Sequence, residues 1–345
     1  MNAHDGNRNR ALITGVGGQD GYFLADALLK MGYEVHGIDN SRTRLNDVRA
    51  ALSGMYGSGR LSLRHGDITI DSHVIDALEQ SSPTEVYNLA AMSQVHRSFD
   101  RPGATFDVNG AGALRVLKHV RHMAPQARFY QASTAEMFGV ASAPQNEQTS
   151  FAPVSPYARA KLYGHRMVAE ARQNYGMFAC SGILFNHEST RRAPHFVTRK
   201  VTRGIARILS GRADSLELGN MCAERDWGHA REYVRAMWLM LQMDSPDDYV
   251  IGTGITRSVG ALVNAAFARV HLDPAKYVRT RHRNMRPSDP PRLQADPSAA
   301  ASSLGWRAST SFEEVISEML QYDLASEGLS LFDLSDAGEH HSDRR

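Results

Sequence analysis

Four side chains in the middle of the chain have the types and spacing for acid–base work on a hydroxyl. Tyr157 and Lys161 stand four apart in Ser155-Pro-Tyr-Ala-Arg-Ala-Lys161, a spacing that puts both on one face of a helix. An ammonium close to a phenol favours the phenolate, so Tyr157 could serve as a base near neutral pH. Thr134 and Glu136 lie in Ser133-Thr-Ala-Glu136, directly after an apolar segment that reads as a strand. Ligands of open α/β sheets bind at the carboxyl ends of strands, so this position offers a hydroxyl and a carboxylate to the same site. A Tyr-x-x-x-Lys spacing by itself most often means an exposed tyrosine near a solvated lysine; its company decides.

That company is a glycine-rich turn near the start. Ala11-Leu-Ile-Thr14 runs into Gly15, Gly18 and Gly21, and Leu24, Leu28 and Leu29 follow at helical spacing. Glycines there let a pyrophosphate approach the N–H groups at the helix N-terminus, where the dipole favours negative charge. A second strand, Glu34-Val-His-Gly-Ile-Asp39, completes the strand–turn–helix–strand context of a dinucleotide site.

The elements that must carry these groups alternate. Strands are expected at Arg60–His65, Val86–Ala90, Ala127–Ala132 and Tyr249–Thr253, and helices at Phe106–Arg121 and Glu232–Gln242. Such alternation predicts an α/β fold, a Rossmann-type doubly wound parallel sheet with a smaller, discontinuous C-terminal substrate lobe. Residues 9–187 should form the dinucleotide-binding domain, with 228–256 rejoining it. Residues 188–227 and 257–325 should form the other lobe, and 326–345 a polar, frayed tail. The segment from Arg42 to Arg60, rich in Arg and Gly, reads as a loop buried between subunits.

Composition narrows the classes. With 39 basic and 37 acidic residues among 345, no global field points to nucleic acid or a membrane. No apolar run nears the ~20 residues of a membrane helix, and the first ten residues lack the apolar core of a signal peptide. Cys180 and Cys222 have no metal-ligand spacing, so no metal site is expected and a reducing, cytoplasmic setting is the simplest reading.

Longer runs carry a resemblance. Thr14-Gly-Val-Gly-Gly-Gln-Asp-Gly21, Gln131-Ala-Ser-Thr-Ala-Glu136, Ile183-Leu-Phe-Asn-His-Glu-Ser189, Phe196-Val-Thr-Arg-Lys200 and Arg225-Asp-Trp-Gly-His-Ala230 resemble the extended short-chain dehydrogenase/reductases. More narrowly, they resemble the GDP-mannose 4,6-dehydratase family. The resemblance implies that Tyr157 takes the proton of a sugar C4 hydroxyl while C4 gives hydride to a nicotinamide. It implies that Lys161 lowers the Tyr157 pKa, Thr134 bonds the C4 oxygen, and Glu136 removes the C5 proton before water leaves C6. The implied cofactor contacts are Gly15, Gly18, Gln19, Asp20, Gly21, Asp39, Arg42, Asp67, Ile68, Leu89, Ala90, Ala91, Ser93, Tyr157, Lys161, His187 and Arg192. The implied nucleotide-sugar contacts are Ser93, Asn186, Lys200, Arg225 and Arg286. A GDP-sugar, most simply GDP-mannose, is the implied substrate, and a homodimer or homotetramer the implied assembly.

The chain also departs from that pattern. Ala135 stands where the family has a small polar residue able to help protonate the leaving hydroxyl. Asp39 ends the second strand, where the GDP-mannose enzymes commonly carry an arginine pair for a 2′-phosphate. A carboxylate there suits the ribose hydroxyl of NAD, although Arg42 and Arg44 are close enough to offset it. NAD is favoured and NADP stays open. Changes at Arg191–Phe196 and Asp289–Arg292 leave other nucleotide sugars as alternative substrates. An epimerase or 4-keto reductase of the same fold is the second enzyme class, and a cofactor-sensing protein without catalysis the third.

Overall fold

The computed structural model describes residues 9–57 and 59–331. Most of the N-terminal stretch read for a signal peptide, and the tail from Ser335, lie outside the described residues.

Seven parallel strands form the main sheet. They are β1 (Arg10–Thr14), β2 (Glu34–Asp39), β3 (Leu61–His65), β4 (Glu85–Asn88), β5 (Arg128–Thr134), β6 (Ala179–Leu184) and, from far along the chain, Tyr249–Ile251. Their spatial order places the last of these at one edge, followed by β6, β5, β4, β1, β2 and β3. The order reverses beside β1, so the chain winds outward both ways and opens a crevice at the carboxyl ends of β1 and β4. This is a Rossmann-type doubly wound α/β fold.

Helices cover both faces because their apolar stripes require it. On one face lie α1 (Gln19–Lys30), α2 (Arg42–Tyr56) and, from the second half, Ala230–Met240. Leu24, Leu28, Val48, Leu52, Tyr233 and Met237 form one core there. On the other face lie α3 (Asp71–Ser81), then α4 (Val95–Asp100) and α5 (Pro102–Phe106), α6 (Ala113–Met123) and α7 (Pro156–Tyr175). Val74, Leu78, Val116, Val120 and Val168 fill the space between α3, α6, α7 and the sheet.

Two local expectations need correction. Arg42–Arg60 is mostly helix, not loop: Ser41 caps α2 through the Arg44 N–H, and Leu45, Val48 and Leu52 are buried on one stripe. That stripe packs within its own chain, in the core shared with α1. The helix expected at Phe106–Arg121 is present but not uniform: α5 runs without a break through a π-helical turn at Asp107–Gly112 into α6. Within the turn, Asn109 turns inward and clamps Met92, accepting its N–H at 2.8 Å and donating to its carbonyl at 3.0 Å.

The second lobe contains β7 (Asn186–Glu188), α8 (Val197–Leu209), β8 (Leu216–Leu218) and β9 (Glu224–His229). It is followed by α9 (Ala230–Met240) and β10 (Tyr249–Ile251), which belong to the main sheet and its cover. The lobe resumes with β11 (Thr256–Ser258), α10 (Val259–Ala268), α11 (Pro274–Tyr277), β12 (Val278–Thr280) and β13 (Arg292–Leu293); α12 (Ser298–Ser303) packs Ala300 into the main core beside β10, and α13 (Phe312–Ser326) returns to the lobe. Strand β9 pairs with β7, β11 and β13 in a second sheet. Val201, Ile205, Trp227, Leu262, Phe267, Ile316 and Leu320 form a separate core between α8, α10, α13 and that sheet.

Candidate active site

The crevice beside β1 is a cleft of about 430 Å³. It is lined by Gly15, Gly18, Gln19, Asp20, Gly21, Asp39, Asp67, Ile68, Leu89, Ala90, Ala91, Ser93 and Arg192 among the expected cofactor residues. Close approach of backbones explains the glycines. A Cβ on Gly15, whose φ is +72°, would stand 2.8 Å from the Ala90 backbone, and one on Gly21 would meet the Gly15 carbonyl at 2.4 Å. No side chain caps the N-terminus of α1, which leaves that end of the helix to an anion. Arg44, Arg97, Arg191 and Arg192 border the same cleft, so the residues present fit a dinucleotide diphosphate.

Asp39 and Arg44 meet where β2 ends at the cleft. Asp39 Oδ1 accepts from Arg44 Nη2 at 2.6 Å, from Arg44 Nε at 3.1 Å and from the Ser41 N–H at 2.9 Å. Its Oδ2 accepts from the Gly17 N–H at 3.1 Å. Arg42 is exposed and does not line the cleft. Two residues along a helix rotate a side chain by roughly 200°, so the face that brings Arg44 over Asp39 turns Arg42 away.

The acid–base groups converge where β5 ends. Ser133 and Thr134 are still in the sheet, paired with Ile183 and Leu184, and a tight turn at Ala135–Met137 follows. Thr134 Oγ1 accepts the Glu136 N–H at 3.3 Å. Helix α7 starts at Pro156, with Ser155 Oγ accepting the Ala158 N–H at 3.1 Å. That start brings the Tyr157 side chain close to Thr134 and Glu136. Tyr157, Thr134, Glu136 and Lys161 are all buried.

Burial sets the electrostatics. It pushes the Tyr157 phenol up to about 12, although the nearby Thr134 hydroxyl and the Arg192 charge pull the other way. It pushes the Lys161 ammonium down to about 8, opposed by the Asp20 charge. Lys161 Nζ donates to the Ala132 carbonyl at 2.9 Å. Glu136, Arg192 and Asp20 are among the charges acting on the phenol. Asp20 pairs with His187, Oδ2 to Nε2 at 2.9 Å. Burial alone would raise the Asp20 pKa, but the His187 charge and hydrogen bond carry it below its ordinary value. Gln19 Nε2 also donates to the His187 carbonyl at 3.0 Å, tying the glycine turn to β7.

The residues expected to hold a nucleotide sugar come from the second lobe. Arg225, on β9, donates from Nη1 to the Pro290 carbonyl at 2.9 Å and from Nη2 to Asp289 Oδ1 at 2.7 Å. Arg286 donates from Nη1 to the same Asp289 oxygen at 3.1 Å and to Glu136 Oε1 at 2.9 Å. Burial would lower the Arg286 pKa, but Glu136 and Asp289 raise it. Asn186 opens β7 opposite Trp227. Lys200, on α8, is half-buried and feels Glu217 and Arg283, away from Glu136. Sequence reading passed over Asn40, Arg97, Asn109 and His195. The first, second and fourth line the cleft, and the short helix after β4 was the place to look, because it follows a strand's carboxyl end. Among the described residues no His, Cys, Asp and Glu cluster could hold a metal, and no helix is long and apolar enough to cross a membrane.

A family model described as GDP-mannose 4,6 dehydratase matches residues 12–319. The chain is 45% identical to GDP-mannose 4,6 dehydratase of Drosophila melanogaster, over 91% of this chain and 86% of that one. It is 43% identical to the Sinorhizobium fredii GDP-mannose 4,6-dehydratase (92% and 97%) and 41% identical to the Homo sapiens enzyme (92% and 92%). Among solved structures it superposes on dTDP-glucose 4,6-dehydratase from Streptomyces venezuelae with NAD and TYD bound. There the TM-score is 0.81 at 23% identity, covering 92% of this chain and 98% of that one. It also superposes on RMD from Pseudomonas aeruginosa complexed with NADPH, TM-score 0.75 at 18% identity, covering 92% and 100%.

Proposed function

Since the chain belongs to the GDP-mannose 4,6-dehydratase family, we propose how its own residues carry that reaction, from GDP-mannose to GDP-4-keto-6-deoxymannose with loss of water. The enzyme is a hydro-lyase of short-chain dehydrogenase/reductase fold, dependent on a nicotinamide dinucleotide. That cofactor, when bound, accepts a hydride and returns it, so no net redox occurs. Gly15, Gly18, Gly21, Asp67, Ile68 and Leu89 to Ala91 would hold it in the cleft.

Tyr157 takes the proton from the C4 hydroxyl, with the Lys161 charge one helical turn away favouring the phenolate, and Thr134 beside it holds the C4 oxygen. Lys161 Nζ, anchored on the Ala132 carbonyl, is the charge proposed to lower the Tyr157 pKa. The resulting 4-keto group acidifies C5–H, and Glu136 removes that proton. Ala135 cannot donate to the C6 oxygen, so the proton gained by Glu136 is the one that leaves with it as water. Asn186, Lys200 and Arg225 are proposed for the nucleotide end and Ser93 for the sugar. The single observation that carries this reading is the meeting of Tyr157, Thr134 and Glu136 at the end of β5.

Two finer points belong to the proposal. NAD is favoured over NADP, supported by the buried Asp39 carboxylate where β2 ends at the cleft. A cytoplasmic homodimer or homotetramer is proposed, supported by two free cysteines and by Phe106, 45% exposed, its ring tilted against Tyr163 at 5.2 Å. Light scattering at micromolar protein checks the assembly, and a monomeric mass refutes it. The decisive experiment for the activity is mass spectrometry of a panel of nucleotide sugars incubated with the enzyme. Loss of one water from GDP-mannose is expected. Loss from a different sugar, or from none, refutes the substrate assignment.

A further inference from the structure

Arg199, in the first turn of α8, is a buried guanidinium engaged on both sides. Toward α13 it pairs with Asp323, Nε reaching Oδ1 and Oδ2 at 2.9 and 2.8 Å and Nη2 reaching Oδ1 at 2.8 Å. Asp323 is itself buried, and its Oδ2 also accepts from Thr202 Oγ1 at 2.6 Å. On the other side, Arg199 Nη1 donates to the Thr190 carbonyl and, at 3.0 Å, to the Arg192 carbonyl. A planar fork of donors can hold a carboxylate and two carbonyls at once, which the compact ammonium of a lysine cannot. The segment gripped in this way, Ser189 to Phe196, runs along the dinucleotide cleft, where Arg191, Arg192, His195 and Phe196 form part of the wall. Its other fastenings are lighter. Ser189 Oγ donates to Gln19 Oε1 at 2.8 Å, the Arg191 guanidinium lies 3.3 Å from the centre of the Tyr22 ring, and His195 Nδ1 meets Gln94 Nε2 at 3.3 Å. The Arg192 guanidinium lies over the Phe196 ring at 3.6 Å, with Nε 3.0 Å from Glu188 Oε2.

We propose that Arg199 is a positioning residue for the cofactor. Its grip on the Thr190 and Arg192 carbonyls fixes the segment that carries Arg191 and Arg192 to the cleft wall, where the two cations retain the dinucleotide. This rests on the dinucleotide reading of the cleft given above. A charge-assisted hydrogen bond weakens steeply when its donor is displaced or tilted, so the backbone beneath an arginine decides how well that arginine meets a phosphate. Among the contacts that hold this backbone, the Arg199 fork is the one that is buried, charged and paired, and a buried pair costs most to disturb. Asp323 lies 124 positions from Arg199, so one side chain couples α13 to the cleft. The proposed reaction returns the hydride it borrows, and the dinucleotide has to stay bound between the two transfers.

Release of the bound dinucleotide from the holoenzyme tests this, followed by mass as an excess of the same dinucleotide carrying deuterium replaces it. Arg199→Lys keeps the charge opposite Asp323 but cannot also reach both carbonyls. Release should quicken about tenfold, the equivalent of one charge-assisted hydrogen bond. Thr202→Val removes a hydrogen bond to the same Asp323 carboxylate without touching the gripped segment. It should lower the melting temperature and leave release within about twofold of wild type. In an Arg191→Ala/Arg192→Ala background, where release is already fast, Arg199→Lys should add less than about twofold, because it acts through those two side chains. If Arg199→Lys does not fold, Asp323→Asn, which slackens the fork from its anchored side, must quicken release in the same way. Unchanged release in the folded variant overturns the proposal. An equal effect of Thr202→Val also overturns it, as does an undiminished effect without the two arginines. A wild-type protein that binds neither NAD nor NADP overturns the cofactor reading and the proposal together, whereas normal retention in wild type and variant alike overturns the proposal alone.

Discussion

Replacing Asp39 by Asn should change which dinucleotide the enzyme holds. The Asp39 carboxylate is buried, and Arg44 grips its Oδ1 at 2.6 Å. A 2′-phosphate about 4 Å from Asp39 would feel a repulsion of roughly 4 kcal/mol per unit charge at an effective dielectric of 20. Arg44, standing farther away by the length of that contact, would return roughly 2.5 kcal/mol on the same scale. The difference, about 1.6 kcal/mol, is roughly a tenfold preference for NAD in wild type. With Asn at 39 the repulsion goes and Arg44 is left to attract. Arg44 attracts the phosphate to the same extent before and after the substitution, so it cancels from the comparison. The NAD to NADP affinity ratio should then move by the lost repulsion, roughly 4 kcal/mol or about a thousandfold toward NADP. Titrating each dinucleotide into protein stripped of cofactor, at fixed ionic strength, measures both constants. An unchanged ratio in Asp39→Asn would falsify the charge argument, and a wild type that binds only NADP would show that Arg44 prevails over Asp39.

Three more outcomes are expected. Tyr157→Phe should lower turnover by ~10²–10⁴ with GDP binding kept, the loss typical of a positioned base; near-normal turnover removes the assignment. Glu136→Gln should stop water release but still let the bound nicotinamide be reduced on mixing, seen by absorbance, and a normal rate of product formation would rule Glu136 out as the C5 base. Lys161→Met should raise thermal stability at neutral pH, by at most about 3 kcal/mol, because the folded-state ammonium is pushed from 10.5 down to about 8. The sign follows from proton uptake: between pH 8 and 10.5 the unfolded chain binds the proton that the folded one has lost, so wild type gains on the variant as pH rises. Melting curves of both proteins from pH 7 to 10 check it, and a gap that does not narrow above pH 8 contradicts the burial argument.

What could be read from the residues alone was whatever neighbours in sequence encode. Gly15, Gly18 and Gly21 sit in one turn, and Tyr157 with Lys161 sits on one helical face, so spacing was enough to propose their chemistry. The doubly wound sheet followed from the alternation of apolar strands with amphipathic helices. Arg42 against Arg44 was not readable, because choosing between them needs the phase of a helix that the charged composition of Arg42–Arg60 concealed. Its buried stripe, Leu45, Val48 and Leu52, was present in the sequence at helical spacing and was outweighed by the arginines around it. The Tyr–Lys spacing in turn suggested a lysine acting on the phenol. It does not show that the Ala132 carbonyl, on the neighbouring strand, takes the ammonium.

The contact between Arg286 and Glu136 belongs to a different order of information. Neither residue has a local pattern that points to the other; they meet because β9 and β13 run parallel in the second sheet while β5 delivers Glu136 from the first. The register Leu293 to Arg225 fixes how the Asp289–Arg292 segment returns past Arg225, and Asp289 then locks both arginines. Burial of Glu136 is offset because one cation, Arg286, reaches its Oε1 at 2.9 Å. On this argument the second lobe does more than offer a surface for a nucleotide: Asp289 and Arg286 carry a chain of contacts from Arg225 on β9 to the end of β5, so small changes in that lobe reach the acid–base groups as well as the binding residues.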